Sequence, residues 1–478
     1  MAEAQQSKES LQQSLQQVIH LLNKHRLVEE LVHKQHMPRH QLVESLVHKR
    51  NVFELQHKLD ELHPADVAYI LESLPIEDRL VVWDLVKADR DGDILLEVSD
   101  AVRQTLIAEM DSDELLAAAE QLDTDEIADL APDLPQDVFQ ELLESLDSQN
   151  RERLQSALSY PEDSVGGLMD FDIVTIREDI TLEVALRYLR RLGKLPDHTD
   201  KLFVVDRDDI LLGVLPLKRL VVHDPDASVA AVMADEAVVF HPEDDAKEAA
   251  QAFGRYDLVT APVVDAGNKL VGRLTVDAVM DFIQEETEGD MLSMAGLREE
   301  EDLFSSVWKS MQNRWAWLAI NLMTAFIASR VIGLFEGSIE KIVALAALMP
   351  IVAGIGGNSG NQTITMIVRG LALGQISAHN MKSLLMKELG VSLLNGLVWG
   401  SVLGLLAFML YQNVALGLVM TGAMTLNLLL AALMGVGIPL VMTRFGRDPA
   451  VGSSVLITAV TDSGGFFIFL GLATIFLL

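Results

Sequence analysis

Cysteine is absent from the 478 residues, so the chain has neither disulfides nor thiolate metal sites. Hard-cation sites built from oxygen ligands stay open. Basic residues are scarce: 37 Lys and Arg stand against 70 Asp and Glu, for a formal net charge of −33. Such a chain repels polyanions, which argues against a nucleic-acid partner, and metal cations are its natural counter-charge. Charge of either sign is nearly missing from the last third. Five acids and seven bases lie between Trp315 and Leu478, so the front two-thirds carries about −35 and the back about +2. The N-terminus lacks the basic-then-apolar pattern of a signal peptide, from which we expect the front part not to cross a membrane.

What the last third does contain is five apolar stretches: Trp315 to Phe335, Ile342 to Ile367, Leu389 to Tyr411, Val414 to Thr443 and Val451 to Leu478. Each reaches the roughly 20 residues that cross a bilayer as a helix. Basic residues lie before the first span (Lys309, Arg314), between the second and third (Arg369, Lys382, Lys387) and between the fourth and fifth (Arg444, Arg447). That alternation predicts a cytosolic N-terminal part and an external Leu478, with Trp315 and Trp317 at the inner interface.

Two features of the spans point to an ion. Asp462 falls near the middle of the fifth stretch, where an ionised carboxylate costs at least about 2.5–3.5 kcal/mol and must face water, a partner or a cation. Its neighbours Thr458, Thr461, Ser463, Gly464 and Gly465 are small or hydroxylated and leave room for a hydrated ion; the competing reading is a structural carboxylate bonded to another helix. The second stretch carries Gly354-Ile355-Gly356-Gly357-Asn358-Ser359-Gly360-Asn361-Gln362. Four glycines and three amides are expected to weaken a simple helix there, and freed backbone groups need protein or water partners. The amide oxygens of Asn358, Asn361 and Gln362 suit a hydrated divalent ion, while tight helix packing is the alternative role for the glycines. Mg²⁺ gives up water reluctantly, so a roomy carboxylate site fits it. One Asp per chain suggests two chains meeting on an axis. Asp448 either draws cations to the inner mouth or shapes the Arg447-Asp448-Pro449 turn.

The front part holds a duplication. Val204-Val205-Asp206, six residues, then Gly213 recurs as Val263-Val264-Asp265, six residues, then Gly272. Met169 and Met233 open short apolar segments upstream, Ile173 to Ile176 and Ala237 to Phe240. Each unit reads as strand, helix, strand, strand, helix. This resembles a tandem pair of CBS domains, modules that often bind adenine nucleotides. The usual nucleotide signature closes with Thr or Ser, two residues, then Asp. Here Thr275-Val276-Asp277-Ala278 lacks that acid and Pro216 stands at the first unit's position, which counts against ATP.

Before the duplication, Asp60 to Leu158 reads as a superhelix of short helices, punctuated by Leu74-Pro75, Asp111-Ser112-Asp113-Glu114, Asp123-Thr124-Asp125-Glu126 and Leu134-Pro135. Taken singly, its acids also fit solvated faces. The first 63 residues hold eight of the twelve histidines, and Leu27 to Lys34 nearly repeats as Leu42 to Lys49; surface histidines and a transition-metal site are both open. Between the duplication and the spans, Glu285-Glu286-Thr287-Glu288-Gly289-Asp290 and Glu299-Glu300-Glu301-Asp302 mark a linking helix whose acids repel until a divalent cation comes between them.

This order of parts resembles the MgtE family of magnesium channels. The matching stretches are Ser164-Val165-Gly166-Gly167-Leu168-Met169, the Gly-Gly-Asn-Ser-Gly-Asn-Gln run, Asp448-Pro449-Ala450, and Thr461-Asp462 followed by small residues. The expected division is a His-rich helical extension (1–59), an acidic superhelix (60–160), tandem α/β CBS domains (161–284), a linking or plug helix (285–313) and a five-helix transmembrane domain (314–478). The resemblance implies a homodimeric Mg²⁺ channel in lipid, closed by cytosolic Mg²⁺. Asp462 looks like the pore carboxylate, with Asn358, Asn361 and Asp448 along the path. Asp245, Asp257, Asp277, Glu285 and Glu288 look like regulatory ligands, joined by Asp125 and Asp129. Gly289 departs from the family's usual acid, with Asp290 beside it. An ion-coupled secondary transporter and a membrane-bound Mg²⁺ sensor are the rival readings. No nucleophile–base pair or phosphate loop is found, which argues against an enzyme.

Overall fold

The computed structural model describes residues 11–24, 52–297, 302–376 and 379–478. The repeated histidine-bearing segments at 27–34 and 42–49, and Glu299 to Glu301, lie outside the described residues. The chain forms two compact units: residues 1–284 with 302–305, and residues 285–301 with 306–478.

In the first unit, α1 (11–24) and α2 (52–60) precede a run of short helices. These are α3 (Pro64–Glu72), α4 (Ile76–Trp83), α5 (Asp91–Glu97), α6 (Asp100–Ile107), α7 (Ser112–Ala119), α8 (Thr124–Leu130), α9 (Gln136–Ser145) and α10 (Ser148–Ala157). The punctuation explains the brevity. Pro75 and Pro135 sit at the N-caps of α4 and α9, where a missing N–H costs nothing. Asp111 caps α7 by accepting from the Glu114 N–H at 2.9 Å, and Glu114 accepts from the Asp111 N–H at 3.0 Å, a reciprocal capping box. Glu126 accepts from the Asp123 N–H at 2.8 Å at the start of α8. Each helix contributes apolar residues to one core, among them Leu71, Ile94, Leu106, Leu115, Ile127, Leu142 and Leu154. That core continues into Met169, Phe253, Val263 and Leu274 of the duplicated region.

The duplicated region contains β1 (Thr175–Arg177), α11 (Leu182–Leu192), β2 (Lys201–Val205), β3 (Leu211–Pro216), α12 (Leu217–Val222), α13 (Val229–Val232), α14 (Ala246–Tyr256), β4 (Thr260–Val264), β5 (Leu270–Thr275) and α15 (Val276–Ala295). β1 runs parallel to β2, which pairs antiparallel with β3; β4 pairs antiparallel with β5. The sequence repeat is a hairpin repeat. Asp206 Oδ1 accepts from the N–H groups of Asp208 and Ile210 at 2.8 and 3.0 Å; Asp265 Oδ1 accepts from Gly267 and Lys269 at 2.8 and 2.9 Å. Both ladders slip register at the same step, Val204/Val205 and Val263/Val264. The repeated glycines leave space for close backbones: a Cβ on Gly213 would lie 2.6 Å from Ala234 O, and one on Gly272 2.9 Å from Asp170 O. One expectation fails. The first strand of the second unit, expected at Ala237 to Phe240, is a single parallel bridge between Phe240 and Val263.

The second unit is helical: α16 (Val307–Gly333), α17 (Glu336–Lys341), α18 (Ala344–Ala372), α19 (Met381–Tyr411), α20 (Val414–Arg444) and α21 (Ser453–Leu477). By length and composition α16, α19, α20 and α21 can cross a membrane. α18 is as long as they are, and its glycine–amide run dilutes its hydropathy. α19 and α20 meet along small residues. A Cβ on Gly400 would lie 2.9 Å from Thr421 O, and one on Gly404 2.5 Å from Gly417 O, so the backbones touch as small-residue seams allow.

Candidate functional site

The glycine–amide run of α18 is helical throughout, contrary to the expected interruption. The reason is packing: the glycines are the surface on which α20 and α21 rest. A Cβ on Gly360 would sit 2.4 Å from Ile457, and one on Gly357 3.6 Å from Thr461 Oγ1. The interleaved amides point elsewhere. Asn358 and Gln362 are exposed and Asn361 is half-buried, so they lie on a side of α18 that its own chain leaves largely open.

Asp462 is half-buried on α21. Asn358 and Asn361 on α18 and Asp462 on α21 lie on packed neighbouring helices, and among the described residues no hydrogen bond joins Asp462 to either amide. Thr461, expected to line the path, is fully buried; its hydroxyl donates to Ile457 O at 2.8 Å. Thr458 likewise donates to Ser454 O at 2.8 Å. Their oxygens are engaged by their own helix, and Gly464 and Gly465 are packed against α20, where a Cβ would lie 2.4 Å from Leu430 and 2.7 Å from Asn427. Asp448 is exposed and accepts from the Ala450 N–H at 2.8 Å, which is the turn-shaping role.

The expected regulatory acids lie singly or in pairs. Asp245 caps α14, accepting from the Glu248 N–H at 3.1 Å. Asp257 ends the same helix in the left-handed region, φ 50°, and is exposed. Asp277 lies 3.5 Å from His198 Nε2. Asp277, Asp281, Glu285 and Glu288 recur along α15 at spacings that share one helix face. Burial first, then Asp277, raises the Asp281 carboxyl above its ordinary value; burial and then Asp281 raise Glu97 on α5. Asp125 is half-buried on α8. Burial, and after it the Asp170 carboxylate, push its carboxyl up to about 8. Asp129 is exposed one turn further on. Among the described residues no three acids or histidines approach closely enough to hold a metal ion. The chemistry nevertheless fits a hard cation: a carboxyl driven up by burial and by other carboxylates regains its charge when a divalent ion takes the place of its proton.

Some residues went unnoticed in the sequence. Asp170 and Arg273 form a buried pair, Nε to Oδ2 at 2.7 Å, reinforced by reciprocal backbone bonds of 2.9 and 2.8 Å. Arg79, fully buried, pairs with Asp302. In the second unit Glu388 is buried with the Thr363 hydroxyl 3.5 Å away, and Asn427 is fully buried on α20. A charged or amide residue inside an apolar run was the available signal for Glu388 and Asn427; nothing local marks Arg79 or Asp170.

Comparison with known proteins agrees with this architecture. Family models match at residues 62–163 (MgtE intracellular N domain), at 165–225 and 229–285 (CBS domain) and at 349–472 (divalent cation transporter). The chain is 31% identical over 437 residues to a magnesium transporter MgtE of Thermus thermophilus, covering 88% of this chain and 95% of that protein. It is 27% identical over 419 residues to that of Bacillus subtilis, covering 88% and 93%. Among solved structures it is similar to the cytosolic domain of the Mg²⁺ channel MgtE in complex with ATP, at TM-score 0.45 and 32% identity, covering 51% of this chain and 98% of that one. With a helical N-terminal domain, tandem CBS domains and a multi-pass helical membrane region, the chain belongs to the MgtE family of magnesium transporters.

Proposed function

We propose that the chain is a Mg²⁺-selective channel that imports magnesium across the plasma membrane as a homodimer and closes when cytosolic Mg²⁺ binds its acidic front part. The observation that carries this reading is the open side of α18 and α21. Asp462, Asn358 and Asn361 are incompletely covered by their own chain, inside a region with only five acids between Trp315 and Leu478. A second copy across a symmetry axis doubles the carboxylates and encloses the path. Small walls and amides recognise Mg²⁺ through its water shell. The driving force is the membrane potential, which favours cation entry toward the side carrying the basic loops, so the N-terminal part is cytosolic and Leu478 external.

The regulatory cation is held by Asp245, Asp257, Asp277, Glu285 and Glu288, with Asp125 and Asp129. It supplies positive charge between groups that repel without it. Binding that favours the closed arrangement shifts the equilibrium by its differential affinity. Of the two effectors considered, Mg²⁺ and ATP, the surplus of acids favours Mg²⁺. Purified protein in a planar bilayer tests the reading. Unitary Mg²⁺ currents that fall when millimolar Mg²⁺ is added to the cytosolic side, and that vanish in Asp462→Ala, support it. Mg²⁺ flux that requires a coupled Na⁺ or H⁺ gradient sinks it.

A further inference from the structure

We infer that Asn427 is a positioning residue of the ion path: its buried amide clamps α18 to α21 at the level of Asp462. The inference rests on the pore reading of Asp462, Asn358 and Asn361.

Asn427 is the one amide within α20, flanked by Leu426 and Leu428, and its exposure is 0%. Its Nδ2 donates to Val352 O of α18 at 2.9 Å, which fixes the orientation of the amide. Two glycines from two other helices make its slot. A Cβ on Gly356 of α18 would lie 2.2 Å from Nδ2, and a Cβ on Gly465 of α21 would lie 2.7 Å from it. Neither approach is possible for any residue but glycine. The amide oxygen has no hydrogen-bond partner among the described residues. An orphaned buried acceptor is costly, and leucine would fill the same volume without it. Retention of an amide here therefore points to geometry rather than to stability.

The levels coincide. Gly465 follows Asp462 by three residues, about 4.5 Å along the axis, and Gly356 precedes Asn358 by two, about 3 Å. Asn427 thus touches both ion-path helices within a turn of these residues: on α18 it meets Gly356, on the far side of the helix from Asn358, and on α21 it meets Gly465, which as an i+3 neighbour lies on the same side as Asp462. Beside the direct contacts of Gly360 with Ile457 and Gly357 with Thr461, the spacing between the carboxylate of α21 and the amides of α18 is held by this one bridging side chain. Interiors are close-packed and transmit small displacements, so a change of shape at Asn427 moves Asp462 relative to Asn358 and Asn361.

The test uses full-length protein in proteoliposomes, with Mg²⁺ influx followed by a fluorescent indicator and hexaamminecobalt(III) as an inert mimic of hydrated Mg²⁺. In Asn427→Leu we expect normal dimer assembly and melting, a fall in Mg²⁺ influx of about tenfold to a hundredfold, and a comparable shift in the hexaamminecobalt(III) concentration that blocks, the upper figure being the scale on which displacements near 1 Å act. A purely structural role lowers the amount of folded protein and leaves block and half-saturation unchanged; that outcome overturns the inference. Should the leucine variant fail to assemble, Asn427→Ala, which adds no bulk, is read in the same way. Asp462→Asn runs in parallel. If it leaves block unchanged, the pore reading itself fails; if it shifts block while both Asn427 variants do not, only the positioning role fails.

Discussion

Arg79 offers the sharpest energetic test in the first unit. Its guanidinium has 0% exposure and the Asp302 side chain 5%. Nη1 and Nη2 donate to the two Asp302 oxygens at 2.8 and 3.2 Å, Nε donates to Leu71 O at 2.8 Å, and Nη2 also donates to Leu74 O at 3.2 Å. The last two acceptors are carbonyls at and just beyond the end of α3, where the helix runs out of N–H donors; Leu71 O also accepts from the Leu74 N–H at 3.3 Å. The ion pair fastens residues 302–305 to the core of the helical domain across 223 positions of sequence. The two ends are unequal. Arg79 is embedded in a helix and cannot leave; Asp302 sits in a short segment that can swing into water.

Asp302→Ala therefore strands a buried charge and should cost about 3–5 kcal/mol. For a unit of this size that lowers the melting temperature by roughly 6–20 °C. Arg79→Met keeps the bulk, loses the carbonyl bonds and frees Asp302 to hydrate. The double variant has no stranded guanidinium and should cost about 2–3 kcal/mol less than the sum of the singles. Thermal unfolding by circular dichroism gives the totals, and hydrogen exchange at Val67 to Leu71 gives the local opening free energy. Additivity of the two changes within about 0.5 kcal/mol, or unchanged exchange in Asp302→Ala, refutes the argument.

Three further outcomes follow from the same structure. Asp125 and Asp91 have carboxyls raised to about 8 and about 6, in both cases chiefly by burial and then by a neighbouring carboxylate, Asp170 and Glu114 respectively. A raised carboxyl favours folding while protonated, so in chelator the stability of the first unit should fall as pH rises from 4 through 8, by at most about 1.4 kcal/mol per unit for each group. Millimolar Mg²⁺ should flatten the upper part of that slope; a slope of opposite sign, measured by chemical denaturation, removes these carboxyls from the account. Gly213→Ala should destabilise by about 1–3 kcal/mol, because the obstacle to its Cβ is the rigid Ala234 carbonyl, and wild-type melting would refute the close approach. Gly360→Ala drives a methyl to within 2.4 Å of Ile457 and should reduce assembled protein in detergent; the paired change Gly360→Ala, Ile457→Val should recover part of it.

The elements most legible in the sequence are those whose governing physics is local. Asp111 and Glu114 announce a helix start because their bonds close within four residues, and the Val-Val-Asp duplication is a hairpin whose capping bonds are equally short. The five apolar stretches are α16, α18, α19, α20 and α21 for the same reason. The glycine–amide run misled because intrinsic propensity and packing oppose one another there. Glycine weakens an isolated helix, yet Gly356 and Gly360 are where Asn427 and Ile457 dock, and that tertiary contact keeps α18 continuous. The first strand of the second repeat is reduced to the Phe240–Val263 bridge although Ala237 to Phe240 is as apolar as its counterpart. Arg79 with Asp302 and Asp170 with Arg273 are pairs whose meaning lies wholly in long-range contact, so no local pattern discloses them; for Asn427 the apolar run marks the amide but not its partner Val352.

The charge of the front part takes on a narrower meaning once its uses are separated. Many of its acids are occupied by backbone geometry: Asp111 and Asp147 cap helices, and Asp206 and Asp265 close hairpins. Such carboxylates accept N–H groups whether or not a cation is present, and they contribute to the net charge without sensing anything. Others are neutralised by fixed partners, as Asp170 is by Arg273 and Asp302 by Arg79. Among the remaining acids, those whose surroundings most disfavour ionisation are Asp125, beside Asp170, and Glu97 with Asp281. A sensor built on net charge would respond to ionic strength. One built on a few half-buried, mutually repelling carboxyls responds to a small divalent ion, because only a charge inserted at short range offsets both their burial and their repulsion. Monovalent salt at ten times the Mg²⁺ concentration should therefore not reproduce the Mg²⁺ protection of the first unit against protease; equal protection by salt would return the acids to the role of a solvated surface.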